Sequence, residues 1–492
     1  MSDDQPDAAP QPELSRHAAR GASIALGAQG SRFVLQLVSL VVLSRLLTPT
    51  DFGLVAMVTA ILGVAEILRD FGLSSAAIQA KELSDAERTN LFWSNVGIGA
   101  ACAVILIALT PVIVRFYDQP ALAPIVVALS SLFILNGANA QFRAELSRSL
   151  RFKALATTDV AAQAAGVSCA IVAALLGAGP WAIVTQQAVL VVTTLVLNAF
   201  QSGWWPGWPR RDVSIRRFFR YGGGLAGMQL LGYVTNNIDN VAIGAVWGSS
   251  ALGLYSRAYQ LLIVPLNQVS DALTRVVLPV LSRVQDDEET YQRYLGRIRL
   301  VGYYLFGTSF AIAAGLSVPL VRVMLGPQWG AVAPIFCALA IGGIFRGYSQ
   351  VTYWIVLSRA LTGAQFKIYL VMRPFMIALI LGGLPWGPVG VAIGHSIAFV
   401  VEWAVSLWWV CRNSGLAFGP LLWAPLRSLL VVSAPAAVIA FLGSRLSSVP
   451  ILSLLAGTAT AALFLAAVLA VSKREREDAR AIVDSLRRAV GR

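Results

Sequence analysis

The chain has 492 residues, of which 57% are apolar and 13% are charged, and its mean hydropathy is +0.69. A soluble domain of this size would show amphipathic stripes, whereas long unbroken apolar runs recur here from Ser23 to Val471. The formal net charge is +13, but the basic residues flank the apolar runs and form no single basic domain, which argues against nucleic-acid binding. The composition therefore predicts an all-α integral membrane protein.

Apolar runs bounded by Gly, Pro and charged clusters predict about fourteen transmembrane helices. Roughly 20 apolar helical residues cross a hydrocarbon core of ~30 Å, and the runs have about that length. The predicted spans cover residues 23–46, 52–76, 90–115, 121–147, 154–177, 180–201, 220–247, 252–282, 299–325, 331–357, 365–384, 387–411, 420–443 and 449–471.

Lysine and arginine are concentrated in every second loop between the predicted spans. Basic residues mark the cytoplasmic side of a membrane, so these loops and both termini are predicted to be cytoplasmic. The alternation persists along the whole chain, which supports an even number of spans. The basic set includes Lys81, Arg88, Arg143, Arg148, Arg151, Arg210, Arg217, Arg293, Arg297, Arg359, Lys367, Arg412, Arg427 and Lys473.

Two stretches of the chain match at an offset of about 200 residues. The first and seventh spans open with Arg20 and Arg220, and Gly53 and Gly253 follow 33 positions later in what is predicted to be a tight turn. Near the other end of each half, Gly179-Pro180 matches Gly387-Pro388. The repeat predicts two six-helix bundles that point the same way across the membrane. Short matches between Gly- and Ala-rich helices also arise by chance, and that alternative stays open.

The repeat gives a domain organisation for the whole chain. A substrate would bind between the two bundles, as in transporters that work by alternating access. The predicted parts are a disordered cytoplasmic tail at 1–19, the N-terminal bundle at 20–202, a cytoplasmic linker at 203–219, the C-terminal bundle at 220–412, an extra helix pair at 413–472 and an amphipathic cytoplasmic tail at 473–492.

Several charged side chains fall inside the predicted spans, where each costs ~2.5–3.5 kcal/mol if it faces lipid. Glu66 and Arg69 are three residues apart, and Asp271 and Arg275 are four apart, so each pair shares a helix face. A purely structural ion pair and a role in transport are equally good interpretations of both. Asp70 lies near the cytoplasmic end of its span, where water is close.

Arginines without an acidic residue at helical spacing are the better candidates for binding an anion. Arg32 and Arg257 are of this kind, and Arg346 is another arginine inside a span. The planar guanidinium group binds phosphate through two parallel hydrogen bonds. These residues therefore predict a site for a phosphate-bearing ligand.

A second polar group lies in the C-terminal half. Asp239 is an acid inside the seventh span, and His395 and Glu402 are seven residues apart on one face of the twelfth. These three residues are candidates for coupling or pairing, together with Glu66, Asp70, Asp271 and Arg275. A proton relay is one interpretation of His395 and Glu402, and a polar patch between packed helices is the other, favoured one.

The sequence contains no motif of an enzyme or an ATP-driven motor. The nucleotide-binding G-x-x-x-x-G-K-[ST], the zinc motif H-E-x-x-H and the nucleophile elbow G-x-S-x-G are all missing. No metal-ligand cluster is present, so neither a catalytic residue nor a cofactor is predicted, and the coupling ion, proton or sodium, stays open. We expect transport rather than catalysis.

The segment from Leu43 to Met57 resembles the first-turn signature of the bacterial polysaccharide export flippases, the Wzx-type members of the multidrug/oligosaccharidyl-lipid/polysaccharide superfamily. Residues 68–79 and 253–261 fit the same pattern. The resemblance covers about residues 20 to 415 and is strongest for the colanic-acid and succinoglycan exporters.

The resemblance implies a V-shaped pair of bundles in the bacterial cytoplasmic membrane, with a cationic cavity between them. It implies an undecaprenyl-pyrophosphate-linked oligosaccharide as substrate, and a polysaccharide polymerase and co-polymerase as partners. Arg69 and Arg257 fall at positions where the related lipid II flippases have cavity arginines, and Arg32 is a looser match. A drug/cation antiporter of the same superfamily and, less favoured, a glycan polymerase are the alternatives.

Overall fold

A computed structural model describes residues 11–70, 73, 77, 78, 80, 83–210, 212, 213 and 215–489 of the chain. Side chains are described from Gly27 onward, except those of residues 70, 216, 217, 219–228, 231 and 485–489. Within these residues the chain is helical and contains no β-strand, so the predicted all-α class is confirmed. Residues 1–10, most of the predicted N-terminal tail, lie outside the described part, as does the side chain of Asp70.

Among the described residues, seven helices are delimited in the first part of the chain. Most coincide with one predicted span, although the third span is divided in two at Leu109, just before Pro111 in the first turn of the next helix. The helices are α1 (Gln11–Leu46), α2 (Pro49–Asp70), α3 (Asp85–Ala108), α4 (Thr110–Tyr117), α5 (Leu122–Arg148), α6 (Phe152–Leu175) and α7 (Trp181–Ser202).

Ten further helices are described after the Trp-rich segment that follows α7. A π-helical turn at Leu429–Ser433 lies between α14 and α15. The helices are α8 (Arg216–Arg283), α9 (Glu288–Gly315), α10 (Ser317–Met324), α11 (Val332–Ser358), α12 (Thr362–Gly382), α13 (Gly387–Ser414), α14 (Phe418–Ser428), α15 (Ala434–Ser444), α16 (Pro450–Val471) and α17 (Lys473–Ala489).

Twelve stretches of the described residues are long and apolar enough to cross a membrane, so the chain is a multi-pass membrane protein. Two of them, Gly232–Arg283 and Thr362–Ser414, contain 52 and 53 residues. A straight helix of that length measures about 80 Å, more than twice the ~30 Å hydrocarbon core. Each is interrupted by a glycine with positive φ, Gly248 at 79° and Gly387 at 69°. Fourteen crossings therefore stay a prediction to be tested.

The two matching glycines of the repeat do not form the turns. Gly53 lies inside α2 and Gly253 inside α8, both buried. The chain turns a few residues earlier, between Leu46 and Pro49 in the first case and at Gly248 in the second. A glycine needs no positive φ to be retained in a helix, because a missing side chain also permits close packing.

The second matched pair lies at the start of a helix in both halves. Gly179 and Gly387 both adopt a positive φ, 55° and 69°. Each is followed by a proline at the start of a helix, Pro180 before α7 and Pro388 at the beginning of α13. Proline is tolerated there because the first helical N–H groups have no partner within the helix.

Polar side chains cap the helices at two loops predicted to be cytoplasmic. Ser84 and Glu87 form a reciprocal capping box at the start of α3. Asp287 caps α9 and accepts a hydrogen bond from the Thr290 amide at 3.1 Å. Hydrogen bonds from Thr290, side chain first and then backbone, hold the pKa of Asp287 below its usual value.

The chain divides into two compact units, Met1–Val234 and Thr235–Arg492. The division lies inside α8, before its break at Gly248. The candidate residues for anion binding and coupling fall in both units.

Residues 203–210 of the predicted linker pack on α3 of the first unit, and residues 216–219 already belong to α8. The Asn90 side chain donates a hydrogen bond to the Arg210 carbonyl at 2.7 Å and accepts one from the Arg210 amide at 2.8 Å. The Trp93 indole donates to the Gly207 carbonyl at 2.9 Å. Through these hydrogen bonds, a segment without regular secondary structure is held to α3.

The C-terminal helix α17 is held to the second unit by its acidic face. Arg427 lies 3.1 Å from Glu475 and 2.9 Å from Asp478. The single hydroxyl hydrogen of Tyr304 is shared between these two carboxylates as well. Glu475 is consequently buried, although its helix is among the most polar parts of the chain.

Candidate anion-binding and coupling residues

In the first unit, Asp159 on α6 accepts hydrogen bonds from arginines on two other helices. Arg32 on α1 donates through Nη1 to Oδ2 at 3.0 Å. Arg143 on α5 donates through Nη1 and Nη2 to Oδ1 and Oδ2, at 2.8 and 3.2 Å. One negative charge thus faces two positive ones, so the cluster carries a net charge of +1.

This cluster changes the interpretation of Arg32. The acidic partner of Arg32, Asp159, lies on another helix and not at helical spacing along α1. The sequence pattern could not reveal such a partner. Arg143 was assigned to a cytoplasmic loop with Arg148, yet it lies inside α5 and forms the bidentate contact with Asp159. Its position more than one helical turn before Arg148 is the signal that could have identified it.

Arg69 forms the predicted pair with Glu66, with Nη2 and Oε1 2.6 Å apart. Its Nη1 donates to the Asn136 carbonyl on α5 at 3.3 Å. Arg69 is only 8% exposed. Its Nε–H is also buried, and no described atom accepts a hydrogen bond from it. A buried guanidinium group with an unused N–H can still donate a hydrogen bond to a further acceptor.

In the second unit, Asp239 lies at the centre of a fully buried polar cluster. Tyr255 donates its hydroxyl hydrogen to Oδ2 at 2.6 Å, and the backbone N–H of Asn240 donates to Oδ1 at 2.8 Å. His395 Nδ1 is 3.2 Å from Oδ2 and 3.1 Å from the Tyr255 oxygen. Asp239 and Tyr255 are 0% exposed and His395 is 1% exposed.

Aromatic side chains connect this cluster to Arg346. Tyr259 stacks on Tyr255 with ring centroids 6.3 Å apart, and it lies 5.7 Å from the His395 ring. The Tyr259 hydroxyl accepts a hydrogen bond from Arg346 Nη1 at 3.0 Å. The Arg346 guanidinium also lies over the Phe399 ring, 5.1 Å from its centroid. Arg346 is therefore oriented by two aromatic side chains.

His395 and Glu402 share a face of α13 but have different partners. His395 contacts Asp239, whereas Glu402 pairs with Arg373 on α12 at 3.3 Å. Sequence spacing alone favoured neither partner, since both come from other helices.

Asp271 and Arg275 were expected to pair on α8. Both side chains are described and exposed, and no hydrogen bond or ion pair joins them, so this expected pair is wrong. Arg257, by contrast, is half-buried on α8 between Tyr255 and Tyr259 in the sequence.

The comparisons with known proteins agree with this fold. The family described as "Polysaccharide biosynthesis protein" matches residues 42–334. The lipopolysaccharide biosynthesis protein WzxC of Escherichia coli (strain K12) is 28% identical over 379 residues, 76% of each chain. The succinoglycan biosynthesis transport protein ExoT of Rhizobium meliloti (strain 1021) is 25% identical over 460 residues, 90% of each chain.

A solved structure has the same fold. The lipid II flippase MurJ in an inward closed conformation matches with a TM-score of 0.71 and 14% identity, over 90% of this chain and 98% of that one. At that identity the likeness establishes the fold alone. The predicted resemblance to the superfamily of polysaccharide exporters is confirmed.

Proposed function

Because the chain belongs to the polysaccharide biosynthesis protein family, we propose that it is a flippase for undecaprenyl-pyrophosphate-linked oligosaccharide repeat units. It moves these units across the cytoplasmic membrane by alternating access, for the synthesis of an exopolysaccharide, a capsule or an O-antigen. Its similarity to WzxC and ExoT, both named for polysaccharide biosynthesis, supports this assignment.

The observation that carries the proposal is the set of arginines inside the helical part of a very apolar chain. A charged side chain there is costly unless it faces a group of opposite charge or water. The pyrophosphate of the substrate is such a group. Arg69 keeps a buried Nε–H without an acceptor among the described residues. We assign substrate binding to Arg32, Arg69, Arg257 and Arg346, and we include Arg143 because it shares Asp159 with Arg32.

The arginine clusters suit a diphosphate better than a cationic drug. The cluster at Asp159 has a net positive charge. Arg346 contacts the Tyr259 hydroxyl and the Phe399 ring, which are uncharged and so leave its positive charge unbalanced. A pyrophosphate accepts parallel hydrogen bonds from guanidinium groups. The positive charge of these groups therefore favours the flippase over the drug/cation antiporter.

The setting of the proposed function is the bacterial cytoplasmic membrane, with both termini in the cytoplasm. The chain crosses fourteen times, with α8 counted twice at Gly248 and with α12 and α13 counted separately. A polysaccharide polymerase and a co-polymerase are the proposed partners, because a flipped repeat unit has to be consumed on the outer face. The protein itself makes or breaks no covalent bond.

The test is export in a strain that lacks the gene. Deletion should cause undecaprenyl-linked repeat units to accumulate, and the wild-type chain should restore polysaccharide at the surface. Arg69→Glu and Arg257→Glu should fail to restore it, because a negative charge repels the diphosphate. Arg293→Glu is the matched control, since Arg293 is exposed near the start of α9 and pairs with Glu289, one turn away.

Three outcomes would overturn the proposal. The first is full export by both glutamate variants at normal expression. The second is drug efflux in a sensitised host without any change in lipid-linked intermediates, which supports the antiporter. The third is polymer formation from flipped substrate by the purified protein alone, which supports the polymerase.

A further inference from the structure

We propose that Gln350 and Tyr353 on α11 bind the sugar attached to the diphosphate, one and two helical turns from the anion-binding Arg346. The inference deepens the proposed function and rests on it, because it takes Arg346 to contact the diphosphate. All the residues that carry it lie in the second unit.

The helix α11 is buried over most of its surface and is accessible along one side. The N-terminal half of that side is apolar, as at Ile341, which is 49% exposed. The C-terminal half contains Arg346, Gln350 and Tyr353, whose i, i+4 and i+7 spacing places them on one helix face. A polar side chain within a membrane span is costly against lipid, so this half of the face borders water or a ligand.

Arg346 keeps N–H groups free on this face. Its Nη1 donates to the Tyr259 hydroxyl at 3.0 Å. Among the described residues no other group accepts a hydrogen bond from Arg346, and none of its nitrogen atoms is a buried atom without a partner. The remaining N–H groups are therefore accessible, and they can donate to a phosphate.

Thr274 on α8 determines which way the Gln350 amide points. The Thr274 Oγ1 lies 2.7 Å from the Ser270 carbonyl oxygen, so the hydroxyl hydrogen lies between these two oxygens. The same Oγ1 accepts hydrogen bonds from the Trp354 indole at 2.9 Å and from Gln350 Nε2 at 3.0 Å. A hydroxyl group has one hydrogen and two lone pairs. All three are used, and only the NH₂ end of the amide can face Thr274.

The carbonyl oxygen of Gln350 is turned away from Thr274 and is left free. Among the described residues nothing donates to this Oε1, and it is not a buried atom without a partner, so it is accessible. The hydroxyl groups of a sugar both donate and accept hydrogen bonds, as those of serine do. An acceptor that is already held in place loses little conformational entropy when a sugar hydroxyl binds it.

Tyr353 adds an aromatic surface next to this acceptor. Its side chain is 45% exposed, and its ring contacts no aromatic or cationic side chain among the described residues. An aromatic ring with a free face can pack against the C–H groups of a sugar ring, while its hydroxyl group can donate and accept. An amide and a tyrosine ring one turn apart are thus fitted to a sugar.

The order of these groups along α11 matches the order of groups in the substrate. A lipid-linked oligosaccharide in the inner leaflet has its tail in the hydrocarbon core, its diphosphate at the surface and its sugars towards the cytoplasm. Gln350 and Tyr353 lie about 6 and 10 Å closer than Arg346 to the end of α11 at Ser358, which is the proposed cytoplasmic end. The apolar part of the face, around Ile341, lies on the side of the tail.

The experiment compares two lipids that differ only in the glycan. They are undecaprenyl pyrophosphate and the undecaprenyl-linked repeat unit extracted from the strain that lacks the gene. Native mass spectrometry of the full-length protein measures both dissociation constants. Gln350→Ala and Tyr353→Ala should each weaken binding of the glycolipid about 3- to 10-fold and leave undecaprenyl pyrophosphate unchanged. Arg346→Gln should weaken binding of both lipids.

Gln292→Ala and Tyr294→Ala are the matched controls, because they make the same changes at exposed positions of α9 in the same unit. Both should keep the wild-type affinities. Tyr353→Phe should retain most of the affinity for the glycolipid, since the ring remains. Thr274→Val should weaken glycolipid binding less than Gln350→Ala does, because it releases the amide without removing it. If either alanine variant on α11 fails to fold, the other carries the test.

Two results would overturn the sugar site. One is an equal loss of affinity for both lipids in Gln350→Ala and Tyr353→Ala, which would show that these residues act on the diphosphate or on the fold. The other is an unchanged affinity for the glycolipid, which would make Tyr353 a membrane-interface anchor only. A failure of the proposed function looks different, because the wild-type protein then binds neither lipid.

Discussion

Asp159 joins arginines from two other helices, so its charge sets the local electrostatic balance of the first unit. Asp159→Asn would leave Arg32 and Arg143 facing each other with no anion between them. We expect a loss of about 1–2 kcal/mol in stability, near the low end for hydrogen bonds to charged groups because both arginines are roughly half exposed. Thermal unfolding of the purified protein in detergent measures it.

A second substitution tests whether repulsion between the two arginines causes the loss of stability. Arg32→Gln in the Asp159→Asn background should recover part of the lost stability, because only one positive charge remains. Asp118→Asn provides the control, since it makes the same change at an exposed helix end whose left-handed conformation, φ 50°, suits asparagine. Equal losses in both single variants would contradict the role of the cluster.

At the level of residues, sequence spacing predicted one of the two expected pairs within a helix correctly, and it predicted none of the contacts between helices. The Glu66–Arg69 pair was predicted and is formed, because three residues along one helix fix the geometry. The partners of Arg32 and His395 come from 127 and 156 residues away, Asp159 and Asp239. Periodicity carries no information on which helices meet, so these partners required the fold. Tyr255 and Tyr259 gave no separate signal, since aromatic residues are common in apolar helices.

At the level of elements, α3 and α5 cross at two glycines. A Cβ atom on Gly137 would lie 2.4 Å from the Asn95 carbonyl oxygen, and one on Gly99 would lie 2.4 Å from that of Phe133. Small residues allow membrane helices to approach this closely. Gly137→Ala should therefore destabilise the protein by about 1–3 kcal/mol through overpacking, measured as a lower unfolding temperature in detergent.

Gly97 on the same helix α3 is the matched control, because a Cβ atom there would meet nothing within 4 Å. Gly97→Ala should be neutral or stabilising by up to about 1 kcal/mol, since alanine favours the helix more than glycine does. The two substitutions should thus have opposite signs. Equal effects would mean that the crossing is not as tight as the backbone distances indicate.

The extents of the elements were predicted well, because long apolar runs and the charges between them define membrane helices. The positions of turns were predicted less well. Gly53 and Gly253 were assigned to turns from sequence alone, but glycine serves equally in turns and in close helix packing. The positive φ of Gly248 and Gly387 distinguishes the two uses, and only the backbone reveals it.

For the whole molecule, the number of crossings depends on whether α8 spans the membrane once or twice. An uninterrupted α8 of 68 residues would reach far beyond any bilayer. A turn at Gly248 would place the following residues outside the cell and the α8–α9 connection inside. The basic residues Arg283, Arg293 and Arg297 around that connection support the second arrangement.

Single cysteines can test this arrangement in intact cells. In a background without the four native cysteines, Ser250→Cys just after the break should react with a membrane-impermeant maleimide added outside. Asp286→Cys, in the connection to α9, should react only after the membrane is permeabilised. Both positions are exposed, so neither result reflects burial in the protein.

If Asp286→Cys reacted from outside and Ser250→Cys did not, α8 would cross once and the positive-inside assignment would invert for every later loop. The alternation of basic residues through α9 to α17 makes that inversion inconsistent with the sequence, because it would place most of the remaining arginines on the outer face.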